Sequence, residues 1–365
     1  SAKKTMNKNS IISSILLISC TSIGGGMLAL PCSTASNGFI ISIINFVICW
    51  IFMTISALYM IETTLWFKKN INIITMVNQI LGYKWKIFIS IIYILLLYSV
   101  MSAYIFAYDK WIKKLLANNL DCDTIQFMCI VFFIILNKII IFNKQNSIEK
   151  LNYFLSICLI LTYTIMVILC IKHVRLESLT HINVKNISQS FSLMITSFGF
   201  CIIIPTIAIF LKKKEKQLLI AITIGSIIPL IVYIIWQLII LGIFPKYGDY
   251  SIINLINKQQ DFDIMFIYFL EKILKISFIS NIILFFSIFA ILTSLIGISL
   301  SLCDFLYDAT NKKINIRNNI AISSIIIIPP IIVSLCFPLG FTKILNFSGI
   351  LVAILLGILP VTLTW

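Results

Sequence analysis

Thr21-Ser22-Ile23-Gly24-Gly25-Gly26-Met27-Leu28-Ala29-Leu30-Pro31 falls in the first long apolar run of the chain and reads as a helix made to break. A glycine inside a helix costs about 1 kcal/mol relative to alanine, so three in succession make local unwinding easy. In hydrocarbon every unpaired N–H or C=O costs several kcal/mol, and unwound backbone survives only where protein, water or a ligand satisfies it. The pattern recurs at Thr196-Ser197-Phe198-Gly199, with Pro205 six residues on. The two Thr-Ser-x-Gly elements stand 175 residues apart in a chain of 365, and five apolar runs precede the second. The two halves therefore enter the membrane with opposite polarity, as an inverted five-plus-five repeat requires. Close helix packing is the other use of small residues in membranes, but a triple Gly followed by Pro goes beyond that need.

The rest of the sequence supplies the membrane. Sixty per cent of residues are hydrophobic, 11% are charged, and the mean hydropathy is +1.06. A soluble domain of this length needs far more polar surface. Ten apolar segments emerge, at about 11–30, 38–66, 87–108, 124–142, 151–171, 188–211, 217–243, 277–303, 319–337 and 344–365. Each is long enough for a hydrocarbon core of about 30 Å, and none alternates as the strands of a membrane barrel do. The expected fold is thus all-α and integral to the membrane, with about ten transmembrane helices, helices 1 and 6 broken. The first run ends without an Ala-x-Ala cleavage site and reads as a retained helix. Residues 1–10 form a tail and 11–365 a single transporter domain, with repeats at about 11–171 and 188–365.

The net charge of +15 comes from lysines in short loops, which act as topology signals rather than a nucleic-acid surface. With the N-terminus in the cytoplasm, the inner side holds most of the basic residues, including Lys3, Lys4, Lys8 and the run Lys212-Lys213-Lys214-Glu215-Lys216. The outer side holds most of the acids, from Asp109 to Glu271. Two amphipathic pieces, 72–82 and 252–275, are expected along the interface. The sequence has no HExxH, GxSxG or P-loop, and its ten cysteines are scattered singly. Those absences speak against an enzyme, an ATP-driven pump and a metal or other cofactor.

Matching breaks in two halves point to a site at the membrane midplane, where half-helix N-termini hold an anion and free carbonyls a cation. A zwitterionic amino acid suits such a site. The N–H groups at Gly24, Gly25 and Gly26 would take its carboxylate, and carbonyls near Thr196, Ser197 and Phe198 its ammonium. Gly199 marks the second break, and Phe198, Phe200 and Phe289 are the chosen pocket residues among nearby aromatics that include Tyr98, Tyr104 and Phe286. Glu62 and Asp304 could act as gate or relay carboxylates, or as interfacial partners of lysines.

The motif at residues 21–31 resembles the first helix of the bacterial aromatic amino acid permeases, the tyrosine- and tryptophan-specific transporters. Ser197-Phe198-Gly199-Phe200 with Pro205 resembles their sixth helix. Phe285-Phe286-Ser287, Phe289-Ala290-Ile291-Leu292-Thr293-Ser294 and Asp304-Phe305-Leu306 resemble their eighth. The resemblance runs from about residue 10 to the C-terminus. It implies the amino acid/polyamine/organocation superfamily and the fold of the bacterial leucine transporter. It also implies proton-driven import of tyrosine or tryptophan across a bacterial inner membrane. Two features depart from the family. Its members usually have an eleventh helix, whereas this sequence reaches Trp365 after the tenth. Its polar stretch after the helix-6 Phe-Gly-Phe, beginning with a His, is here Cys201-Ile202-Ile203-Ile204.

A cation site is the last expectation. The hydroxyls of Thr293 and Ser294 with the carbonyls of Cys20, Ile23 and Ala290 would make a cage of five oxygens, similar to the ion site of sodium-coupled relatives of this fold. The same hydroxyls could instead bond back to their own helix. Proton coupling follows from the family and sodium is the alternative; a transporter-like sensor that binds amino acid without cycling is a further one.

Overall fold

The computed structural model describes residues 2–67, 72–116, 121–142, 145–180, 187–245, 270–274, 278–309, 320–336 and 341–364. The expected segment at 252–275 lies almost wholly outside them. The first broken span is α1 (Ala2–Ser22) and α2 (Gly25–Thr34), which meet at 42°. A glycine turn at Gly38, φ 86°, leads into α3 (Phe39–Trp66). There follow α4 (Ile73–Ile80), α5 (Tyr83–Leu116), α6 (Cys122–Phe142) and α7 (Gln145–Ile171). The second interrupted span runs through α8 (Ile187–Ser197), a 3₁₀ segment (Gly199–Ile203) and α9 (Ile204–Phe210). After it come α10 (Glu215–Ile243), α11 (Ile279–Ala309) and α12 (Ile320–Cys336). The last span is α13 (Phe341–Val352), a π-helical turn (Ala353–Ile358) and α14 (Leu359–Thr364).

Eight spans among the described residues are long and apolar enough to cross a bilayer, and the bent pair makes a ninth. The 17 residues of α12, the ninth apolar segment of the sequence, reach only about 25 Å at 1.5 Å per residue. Helix α5 is much longer than its apolar run suggests. Its 34 residues extend to about 50 Å, and Lys113 binds Asp109 one turn back at 2.7 Å to sustain the polar end. The amphipathic α4 does not use its apolar face on lipid. Ile73, Ile74, Met76 and Val77 are fully buried in protein.

The spans are not equally enclosed. In the apolar stretches of α11 and of the α8–α9 span, 83% and 72% of residues are buried, against 28% in α7. The eighth and sixth spans are therefore central, and the fifth presents most of its surface outward. The lysine run at 212–216 has a structural use beyond topology. Lys212 and Lys213 adopt positive φ, and Lys213 Nζ donates to the Phe67 carbonyl at 2.6 Å, capping the end of α3. Partial burial lowers the pKa of that ammonium.

Candidate functional site

The first break comes just before the triple glycine is complete. Helix α1 closes with the Ile23 N–H on the Ser19 carbonyl at 2.8 Å, and Gly24 is extended, with φ −117° and ψ −159°. Gly25 and Gly26 are already the first two residues of α2, so unwinding is confined to Ile23-Gly24 rather than spread over 24–26. The glycines are needed for close approach. A Cβ on Gly25 would stand 2.7 Å from Tyr104 Cε1 and 2.9 Å from Phe341 Cζ. One on Gly26 would meet Ser197 Oγ at 2.7 Å, and one on Gly24 would overlap the Ser294 hydroxyl. Four other spans thus press on this turn.

The second break is at Phe198, whose φ of −92° and ψ of 20° end α8. The chain continues as a 3₁₀ segment until Pro205 starts α9, where the missing N–H of proline does no harm. Here the glycine is roomy. A Cβ on Gly199 would touch only Val352, at 3.9 Å.

The two breaks meet at Tyr233 of α10. Its hydroxyl lies in hydrogen-bond contact with the Ser22 carbonyl and, at 2.8 Å, with the Ser197 carbonyl. A hydroxyl carries one proton, so Tyr233 serves one carbonyl at a time and the pair retains capacity for a cationic donor. The Ser22 hydroxyl beside it is buried and has no hydrogen-bond partner. A buried polar group in that condition is the exception in folded proteins and invites a ligand. The opposite side belongs to α2, whose N-terminal N–H groups carry the positive end of a helix dipole. The Tyr104 hydroxyl bonds there to the Gly26 backbone and the Ser294 side chain. An anion acceptor and a cation acceptor therefore stand side by side across the breaks. Aromatic rings border them: Phe198 packs edge-on against Tyr233 at 4.9 Å, and Phe46 lies 6.1 Å from the same ring.

Other expected residues take different places. The Thr196 hydroxyl is turned to α13, bonding the carbonyls of Ser192 at 2.9 Å and Leu345 at 3.1 Å. Ser197 Oγ bonds back to Leu193 at 2.9 Å, leaving its carbonyl as the group that faces Tyr233. Phe200 is fully buried and Phe289 partly so. Phe286 packs at a tilt against Tyr163 and Trp236, Tyr98 reaches the Ile325 carbonyl, and Glu62 is exposed. Tyr233 and Ser22 were not singled out as site residues in the sequence. The signal for Tyr233 was a hydroxyl in an otherwise aliphatic run, Ile227 to Ile235.

The hydroxyls of α11 lie at the end of α1. Thr293 Oγ1 is 3.1 Å from the Ala290 carbonyl, 3.0 Å from that of Phe289 and 3.5 Å from that of Cys20. Ser294 Oγ is 3.1 Å from the Cys20 carbonyl and 3.2 Å from that of Thr21. The Thr21 carbonyl, two residues before Ile23, thus joins those of Cys20 and Ala290 beside these hydroxyls.

A bundle with a broken first span and an interrupted sixth, whose helix ends are joined through carbonyls that share Tyr233, defines a membrane transport protein of the leucine-transporter fold. A solved nucleobase-cation-symport-1 transporter, described as closed with bromovinylhydantoin bound, superposes with a TM-score of 0.67. That match covers 96% of this chain and 77% of the other at 14% identity, a likeness of fold. The chain belongs to the tryptophan/tyrosine permease family, whose profile matches residues 7–365. Two relatives come from Haemophilus influenzae. Its tyrosine-specific transport system 1 is 27% identical over 98% of this chain and 88% of its own. Its tryptophan-specific transport protein is 23% identical over 97% and 87%. A glutamine transporter 2 of Aliivibrio fischeri is 25% identical over 97% and 88%. The chain is accordingly a multi-pass membrane permease, not an enzyme.

Proposed function

We propose that this permease is a symporter importing an aromatic L-amino acid, tyrosine or tryptophan, across a bacterial inner membrane, with its N-terminus in the cytoplasm and the proton gradient as its driving force. The observation that carries the reading is the shared Tyr233 contact to the Ser22 and Ser197 carbonyls beside the N-terminus of α2. The substrate ammonium would take the carbonyl that Tyr233 leaves open, with help from the Ser22 hydroxyl. The carboxylate would take the N–H groups of Gly25 and Gly26, displacing the Tyr104 hydroxyl from the latter. The side chain would lie against Phe198 and Phe46. The tyrosine- and tryptophan-specific relatives support the aromatic choice, and the lysine distribution supports the orientation.

Sodium coupling is the second reading, favoured by the hydroxyls of Thr293 and Ser294 beside the Cys20 and Thr21 carbonyls. Hydroxyls and carbonyls suit a hard monovalent cation, but they do not titrate near neutral pH. One experiment parts the two. Uptake of labelled tyrosine and tryptophan into proteoliposomes is measured with a proton gradient in sodium-free buffer, then in a sodium gradient at equal pH on both sides. Uptake in the first arm is expected. Uptake only in the second overturns proton coupling, and Thr293→Val should then raise the sodium concentration required. Uptake of neither amino acid in either arm overturns the aromatic assignment.

A further inference from the structure

Gln237 of α10 stands one turn beyond Tyr233, on the same face of the helix and about 6 Å along its axis. Across from it α3 runs the other way, so that Ser42 lies opposite Gln237 and Phe46 opposite Tyr233. The Gln237 side chain is fully buried. Its nitrogen donates to Thr34 Oγ1 of α2 at 2.5 Å and to Ser42 Oγ at 3.4 Å. Its oxygen has no hydrogen-bond partner.

The surroundings fix which way this amide faces. Thr34 Oγ1 gives its one proton to the Leu30 carbonyl at 2.7 Å, and Ser42 Oγ gives its own to the Gly38 carbonyl at 2.6 Å. Both hydroxyls then have only lone pairs to offer. Each can take an amide N–H, and neither can serve the amide oxygen. Turning the amide over would set its oxygen against two acceptors and repair nothing. Gln237 Oε1 is therefore a buried acceptor that the protein itself does not satisfy, an exceptional state that calls for a donor from outside the chain.

The place of that oxygen selects the donor. In the proposed binding mode the charged ends of the amino acid lie at the breaks beside Tyr233, and its side chain lies against Phe46. A side chain that starts at the Tyr233–Phe46 pair and follows the two helices ends beside Gln237 and Ser42, one turn on. A plain phenyl ring brings no donor there, whereas a phenol O–H or an indole N–H does. We infer that Gln237 Oε1 is the specificity-determining acceptor for the ring donor of the substrate, the phenol O–H of tyrosine or the indole N–H of tryptophan. The inference rests on the aromatic reading above. Because the oxygen is already unmet in the empty protein, a substrate without a donor adds no new penalty and forfeits only one net hydrogen bond. The resulting preference is modest and follows the donor, not the size of the ring.

The test is equilibrium binding to the purified protein in lipid nanodiscs. Tyrosine is compared with phenylalanine, and tryptophan with 3-benzothienylalanine, whose sulfur replaces the indole N–H in a ring of the same shape. Each analogue that lacks the donor should bind about fivefold more weakly than its partner, the worth of one net hydrogen bond. In Gln237→Met, tyrosine and tryptophan should each weaken about fivefold while the two analogues change by less than about twofold, so that the preference disappears. Thr34→Val keeps Gln237 and removes one of the acceptors that orient its amide, so the preference should fall to about twofold. That variant guards against a folding failure of Gln237→Met. Equal affinities within both pairs, a preference that survives Gln237→Met, or one untouched by Thr34→Val overturns the inference. Binding of tyrosine and tryptophan without any donor preference fells this inference alone. Binding of neither fells the aromatic reading and the inference with it.

Discussion

The break in the first span and the break in the sixth share a sequence pattern but not a physical character. At Gly24–Gly26 three glycines are crowded by Ser294, Tyr104, Phe341 and Ser197, and the helix turns by 42° over two residues. At Phe198–Ile203 the chain tightens into a 3₁₀ segment, and Gly199 has room for a side chain. The first break is a point where neighbouring spans meet on bare backbone. The second is a change of pitch whose contribution is the Ser197 carbonyl. Two similar motifs can therefore differ in what they require: one needs the absence of a side chain, the other needs a redirected carbonyl.

The strongest test of that difference is Gly25→Val. Its added carbons run into Tyr104 and Phe341, and overpacking of this kind costs about 1–3 kcal/mol. Uptake in proteoliposomes should be abolished, while monodisperse elution and helical content persist. Normal uptake would remove the first break from the site. Next comes Tyr233→Phe, which takes away the shared donor but not the ring. A buried carbonyl left without its partner costs about 1–3 kcal/mol, so uptake should drop roughly tenfold and the melting temperature fall by a few degrees. An unchanged melting temperature with unchanged uptake would mean that Tyr233 does not join the breaks. The smallest effect is expected from Gly199→Ala, whose Cβ would touch only Val352. Uptake should stay within twofold of the parent, and a loss comparable to Gly25→Val would erase the distinction between the breaks.

The spans and the breaks were legible because lipid imposes a strong composition rule and because Gly-Gly-Gly is rare inside a helix. The exact hinge was less legible. Any of three glycines can start a helix, and what selects Gly24 is the surroundings, the Ser294 hydroxyl and Tyr104 among them. Thr196 looked like a site residue by its place in the motif, yet the direction of its side chain depends on α13, distant in sequence. Tyr233 was hidden for the same reason, since its importance lies in touching two spans at once. The π-helical turn at Ala353–Ile358 had no signal in its uniformly apolar sequence. The Ser56 hydroxyl of α3 takes the Leu356 carbonyl within it, a contact that no local pattern announces. The open amide oxygen of Gln237 needed α2, α3 and α10 to be placed before it could be seen.

The central claim is that backbone groups of the two broken spans hold both charged ends of an amino acid. Displacement of labelled tyrosine at equilibrium tests it most directly. The competitors are tryptophan, phenylalanine, tyramine, which lacks the carboxylate, and 3-(4-hydroxyphenyl)propionate, which lacks the ammonium. Tryptophan or phenylalanine should displace the label within about tenfold of tyrosine itself, and the two truncated analogues should fail at a hundredfold excess. Displacement by either truncated analogue as readily as by tyrosine would contradict recognition through the breaks.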